Sequence, residues 1–209
     1  MLENKKQTSL QIYNFLSSKY KKEWWPNEPY KIMIESVLVQ NTTWKSVEKA
    51  EQNFKDSFTP EWIEMVDEEL FSQYIYSCRY GKVKTKTIKS LTAWFKKYNY
   101  DAEKVKEKET NEIRKELLAI KGIGPETADD ILVYSFYKPS FIIDVYTRRL
   151  LIKLGFNFKN DTEIRKFLTA TIPETAEVYD YYHGFILQYS KDLETKKEDI
   201  KDLLEWLKK

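Results

Sequence analysis

An all-α fold is predicted by three features of this sequence. Glycine occurs only 5 times in 209 residues, so the chain carries few of the tight turns that a sheet protein needs. Apolar residues recur at three- and four-residue spacing in almost every segment, and no convincing stretch alternates apolar with polar as a half-buried strand does. Polar caps and prolines punctuate these periodic runs. Thr59-Pro60 reads as a cap followed by proline at the first helical position, and Asn160 with Glu163 as a capping box. The spacing predicts helices over about 7–20, 29–40, 44–57, 60–65, 67–78, 83–98, 101–106, 110–120, 126–137, 144–154, 161–170, 174–191 and 194–208.

The first of these puts Ile12, Phe15 and Leu16 on one helix face. An aromatic pair, Trp24-Trp25, follows, held in an extended turn by Pro26 and Pro29. Two uses remain open for it: packing, the commonest fate of large aromatics, or lining a pocket for a flat, electron-poor ring. Ile34, Val37 and Leu38 form a core stripe that ends at the polar loop Gln40-Asn41-Thr42-Thr43. Between 75 and 91, Arg79, Lys82, Lys84, Lys86 and Lys89 make the densest cationic run in the middle of the chain. Such a run is either a solvated helix face or a set of phosphate contacts.

Ile113, Leu117 and Ile120 continue one helix face to Lys121-Gly122, where glycine ends the helix at little cost. Ile123 tucks inward, Gly124 permits a second tight position, Pro125 suits the first turn of the next helix, and Glu126 suits its dipole. Thr127, Ala128, Ile131, Leu132 and Ser135 then continue at helical spacing. Two glycines flanking one residue at a helix start make either a plain αα-hairpin or a concavity of backbone N–H groups that holds phosphate. A short apolar run closes on Asp144, an N-cap position, and Val145, Leu150, Leu151 and Leu154 follow as core. Arg148 and Arg149 face either a cleft or solvent. His183, the single histidine, sits among aromatics and reads as a hydrogen-bonded packing residue rather than a catalyst.

Composition narrows the function. With 35 basic and 33 acidic residues the net charge is +2, so a nucleic-acid surface has to come from local clustering. One cysteine, Cys78, excludes a disulfide framework and a four-cysteine metal or iron–sulfur site within the chain. No metal or cofactor is expected. Neither a membrane-spanning run nor a signal-peptide pattern is present, and a soluble cytoplasmic protein is expected.

The pattern LxxIKGIGPxTAxxIL, followed by IID at 142–144, resembles the helix-hairpin-helix, glycine/proline-rich loop and aspartate signature of the endonuclease III superfamily of DNA glycosylases. The resemblance runs from about Trp24 to Lys191. LVQNTTW is similar to that family's LLxxQT segment, with Asn41 in place of its threonine. In IYSCRYGKVKTKTIKSL, Tyr80, Lys84 and Lys86 match, whereas Tyr76, Ser77 and Arg79 depart from the family's Arg, Pro and Gly. The segment that holds four cysteines in cluster-bearing members is here a charged helix without cysteine.

The resemblance implies two helical lobes. One covers 28–139 and ends in the helix-hairpin-helix at about 110–137; the other joins 1–27 to 140–209, with the active cleft between them. It implies a monomer that binds double-stranded DNA containing a damaged base. Lys121, Gly122, Ile123, Gly124 and Thr127, with Lys84 and Lys86, would meet the DNA, and Gln40 would fill the gap left by a flipped nucleotide. Trp24, Trp25 and Pro26 would line the base pocket, and Asp144 would stabilise the oxocarbenium-like sugar. Members that also cut the strand use a lysine two residues after the second hairpin glycine. Here that position is Glu126, which cannot form an imine, so the implied enzyme hydrolyses without lyase activity. The missing cluster, WWPN and LVQNTTW together look most like the 3-methyladenine glycosylase branch, whose cationic substrates have a weakened glycosidic bond. A pyrimidine- or mismatch-directed glycosylase, or a damage-binding module without turnover, are the alternatives.

Overall fold

Side-chain caps decide where these helices begin. The computed structural model describes residues 2–21, 28–54 and 58–208, and among them there are thirteen α-helices and no strand. In chain order these are α1 (Leu2–Lys19), α2 (Pro29–Leu38), α3 (Trp44–Phe54), α4 (Pro60–Met65), α5 (Glu68–Tyr74), α6 (Gly81–Lys96), α7 (Ala102–Lys106), α8 (Thr110–Leu118), α9 (Pro125–Asp130), α10 (Val145–Lys153), α11 (Asp161–Thr169), α12 (Ala176–Glu194) and α13 (Ile200–Trp206). Thr59 Oγ1 accepts from the Trp62 amide at 3.2 Å, and Pro60 opens α4. Asn160 Oδ1 accepts from the Glu163 amide at 3.0 Å, while Glu163 Oε2 accepts from the Lys159 amide at 3.0 Å. That box therefore closes one residue further back than the usual reciprocal pair.

The chain divides into two compact units, Met1–Trp25 with Pro139–Lys209 and Pro26–Lys138. The continuous unit is built on Met33, Ile34, Val37 and Leu38 of α2, against Ile88, Leu91 and Phe95 of α6 and Ile131, Leu132 and Phe136. The discontinuous unit packs Ile12, Phe15 and Leu16 of α1 against Tyr182, Phe185, Ile186 and Tyr189 of α12. Phe141 and Ile143 are buried in that second core, so the run leading to Asp144 is anchored on one side by packing.

Several helix ends differ from the sequence expectation: the span 67–78 is α-helical only to Tyr74 and ends in a 3-10 turn at Tyr76–Cys78, and the first helix starts at Leu2. The span 126–137 is α-helical only to Asp130 and then widens into a π-helical turn, Ile131–Ser135, closed by the Lys138 amide on Leu132 O at 2.9 Å. The span 194–208 breaks because α12 runs on to Glu194 and Lys196 takes a left-handed backbone (φ 59°). Asp199 then caps α13 through the Lys201 amide at 3.0 Å. No glycine marks that break, which is why periodicity ran across it.

The cationic run on α6 is divided by burial. Lys84 is buried and its ammonium donates to the carbonyls of Leu38 (2.8 Å), Gln40 (2.7 Å) and Cys78 (2.5 Å). Lys89 does the same for Ile63 (2.9 Å), Glu64 (3.2 Å) and Val66 (2.6 Å). Both lysines cap the carbonyl ends of neighbouring helices, α2 and α4, where a cation meets the negative end of the dipole. Lys82 and Lys86 stay exposed.

Candidate active site

The hairpin between α8 and α9 is held from three sides. Arg114 on α8 donates through Nε and Nη2 to the buried Asp129 carboxylate at 2.8 and 3.2 Å, a two-pronged pair that sets the angle of α9. Thr87 of α6 donates to Lys121 O at 3.0 Å, so the tip rests on α6. Gln40 donates through Nε2 to Gly122 O at 3.1 Å and to Thr127 Oγ1 at 2.8 Å, tying the loop after α2 to the same tip.

The two glycines then differ. Gly122 has φ +99°, and a Cβ there would stand 2.1 Å from Thr87 Oγ1. Gly124 has an extended backbone (φ −92°, ψ 176°) and a Cβ there would meet nothing within 4 Å. Gly122 is needed by the fold, and Gly124 leaves open surface at the start of α9. The Ile123 amide bonds back to Ile120 O at 3.0 Å, while no acceptor among the described residues takes the amides of Gly122 and Gly124. Those N–H groups, with exposed Lys121 beside them, form a surface suited to a phosphate oxygen.

Asp144 caps α10, its Oδ1 accepting from the Thr147 amide at 2.7 Å, and only 7% of the residue is exposed. Its other oxygen, Oδ2, lies 3.5 Å from Nε2 of His183 on α12, which is equally buried. Burial is the largest influence on Asp144 and by itself would raise its pKa. The His183 imidazole facing Oδ2, with the Thr147 amide on Oδ1, outweighs burial and holds the carboxyl below its ordinary range. A buried carboxylate that stays ionised can face a developing cation without reorganising.

Several expected residues are placed differently. Lys84 is not a phosphate contact: it is buried, and its three N–H donors are committed to carbonyls. The side chains of Ile123 and Thr127 are also buried, so they support the hairpin from inside rather than offering side-chain contacts to a ligand. Gln40 is half-buried and bonded to the hairpin. Lys86, Lys121, Gly122, Gly124 and Glu126 are exposed. Trp24, Trp25 and Pro26 lie outside the described residues. Arg148 pairs with Asp161 at 3.1 and 2.8 Å, and Arg149 reaches Glu194 at 3.7 Å.

His183 is the residue that sequence reading placed in the packing class. Asp144 and His183 are far apart in the chain, and only the packing of α10 on α12 joins them. No motif links them, so no local signal was there to find. A second surface feature is a concavity of about 550 Å³ lined by Ser72, Tyr76, Ser77, Arg79, Tyr80, Gly81 and Lys82. Arg79 and Tyr80 both carry positive φ (57° and 51°). Gly81 is required there, since a Cβ would come within 2.9 Å of Ser72 O. Tyr76, Ser77 and Arg79, the departures from the family pattern, all lie in this turn. Among the described residues no group of three or more His, Cys, Asp or Glu side chains is placed to hold a metal ion.

Comparison with known proteins identifies the family. The family profile described as "HhH-GPD superfamily base excision DNA repair protein" matches residues 34–174. A Methanocaldococcus jannaschii protein, provisionally named a DNA repair glycosylase, is 35% identical over 206 residues, covering 94% of this chain and 93% of its own. Among solved structures, Helicobacter pylori 3-methyladenine DNA glycosylase (MagIII), bound to 1,N6-ethenoadenine, superposes with a TM-score of 0.74 at 25% identity, covering 94% of this chain and 99% of that one. An endonuclease III trapped as a covalent intermediate with DNA gives a TM-score of 0.71 at 24% identity, over 88% and 85% of the two chains, and so shares the fold. The helix-hairpin-helix, the capping aspartate and these matches together place the chain in the HhH-GPD superfamily of base-excision DNA repair proteins, as a DNA glycosylase.

Proposed function

We propose that this glycosylase is monofunctional and removes an alkylated purine from duplex DNA by hydrolysis. The observation that carries the reading is Asp144, buried at the start of α10 with Oδ1 on the helix cap and Oδ2 facing His183. As the C1′–N bond breaks, its electrons leave with the base and the sugar becomes oxocarbenium-like. Asp144 stabilises that cation, and water adds at C1′ with its proton passing to the carboxylate or solvent. A leaving base that is already cationic needs little acid help. Glu126 at the lyase position supports hydrolysis over imine formation, because a carboxylate cannot attack C1′ to give a Schiff base. The likeness to a 3-methyladenine glycosylase supports the substrate class.

On this reading the amides of Gly122 and Gly124, with Lys121 and Lys86, take backbone phosphates. Gln40 releases the hairpin to fill the space of the extruded nucleotide, and Trp24, Trp25 and Pro26 stack on the base. The test uses duplex oligonucleotides that each carry one defined lesion. The expected result is free 3-methyladenine or ethenoadenine, an intact abasic strand and no product trapped by borohydride. Asp144→Asn keeps size and cap, so it should bind duplex as wild type does yet release base about 10²-fold more slowly. Release at the wild-type rate by that variant would leave Asp144 as a cap alone. A borohydride-trapped adduct would end the monofunctional reading, and release of an oxidised pyrimidine or mismatched base instead would move the substrate.

A further inference from the structure

We infer that His183 is the positioning residue for Asp144: its imidazole faces the carboxylate oxygen that the helix cap does not use, and so fixes the charge and the aim of the carboxylate. The inference rests on the functional reading above only for the role of Asp144, since the pairing itself is a matter of geometry. Oδ1 is committed to the Thr147 amide at 2.7 Å, and Oδ2 stands 3.5 Å from His183 Nε2, with both side chains about one-tenth exposed. A carboxylate bonded only at Oδ1 can swing about that bond, and an imidazole standing 3.5 Å from Oδ2 limits the swing. Burial is the largest single influence on Asp144 and opposes its charge, so something must offset it.

His183 is the titratable group that acts on Asp144, and the remaining contributions come from Thr147. Asp180, one turn before His183, and Tyr181 are the titratable neighbours of His183 on α12 itself, and the pairs that reach the helix from other elements meet other residues of it. Arg149 of α10 reaches Glu194, Tyr20 donates to Asp192 at 3.0 Å, and Tyr13 of α1 packs edge-on against Tyr182.

The test compares wild type, His183→Leu and His183→Gln in two readouts. The first is the titration of the Asp144 carboxyl carbon, followed by NMR in protein carrying ¹³C-labelled aspartate. In His183→Leu its midpoint should move to higher pH, and His183→Gln, which returns a neutral donor, should recover part of the shift. The second is single-turnover base release, for which the ratio of the rate at pH 8 to that at pH 5 should rise about tenfold in His183→Leu and less in His183→Gln, with duplex binding unchanged. An unmoved Asp144 titration in a folded variant overturns the inference, as does a rate loss in His183→Leu that is equal at both pH values. A moved titration in a protein that releases no base from any damaged duplex would keep the pairing and remove the functional reading instead.

Discussion

Gly122 and Gly124 look interchangeable in the string KGIGP, yet they answer to different constraints. At Gly122 the left-handed backbone and the 2.1 Å approach to Thr87 Oγ1 both exclude a side chain. Gly122→Ala should therefore lower stability by about 2–4 kcal/mol, read as a drop in melting temperature. At Gly124 neither constraint holds, so Gly124→Val should fold within about 0.5 kcal/mol of wild type. It should still weaken duplex binding, because the added methyls stand where a phosphate would approach the amide. If Gly124→Val binds duplex as tightly as wild type, the hairpin is only a turn. The motif and the capping role of Asp144 were legible as residue spacing. The division of labour between the glycines was not, because it depends on Thr87, more than thirty positions away. The same holds for Lys84 and for His183: which way a side chain turns is decided by neighbours that the local sequence does not contain.

Helix starts were legible at Thr59, Asn160 and Asp144, because a cap is a local hydrogen bond within three residues, whereas the cap at Asp199 was passed over. Helix ends that use no glycine, such as the left-handed Lys196, left no such mark. A different property emerges only where two helices meet. Glu35 of α2 and Glu51 of α3 both lie beside Lys31, at 3.7 and 3.9 Å from its ammonium. Burial, then the neighbouring Glu51 carboxyl, push the Glu35 carboxyl up to about 8, and one lysine does not offset two acids. The folded chain then holds a proton that the unfolded chain has already released. Stability from this pair is thus intact below the ordinary carboxylate range and falls as pH rises towards 8. Glu35→Gln removes that loss. Its advantage over wild type should grow by about 1–2 kcal/mol between pH 5 and pH 8, measured by chemical denaturation at both. An advantage that stays constant with pH would mean that Glu35 is ionised throughout.

At the scale of the whole chain, charge limits how the protein holds DNA. A net charge of +2 supplies no strong long-range field, so affinity has to come from a few placed cations and backbone amides. The cationic inventory is smaller than the sequence suggests, since Lys84 and Lys89 spend their donors on carbonyls, and Arg114, Arg148 and Arg149 pair with acids. Among the cations that α6 and the hairpin leave at the surface are Lys82 and Lys86 near the start of α6 and Lys121 at the tip, together with the glycine amides. Counterion release by so short a set gives a shallow dependence: log Kd against log salt should have a slope of about 3–5 in magnitude, below that of a polycationic binder. Lys86→Ala and Lys121→Ala should each reduce that slope by about 1 while leaving the melting temperature unchanged. Lys84→Ala should do the reverse. It strips a cation from three buried carbonyls, and so should lower the melting temperature while keeping the slope. A slope that Lys86→Ala and Lys121→Ala leave untouched would place the phosphate contacts on another surface of the protein.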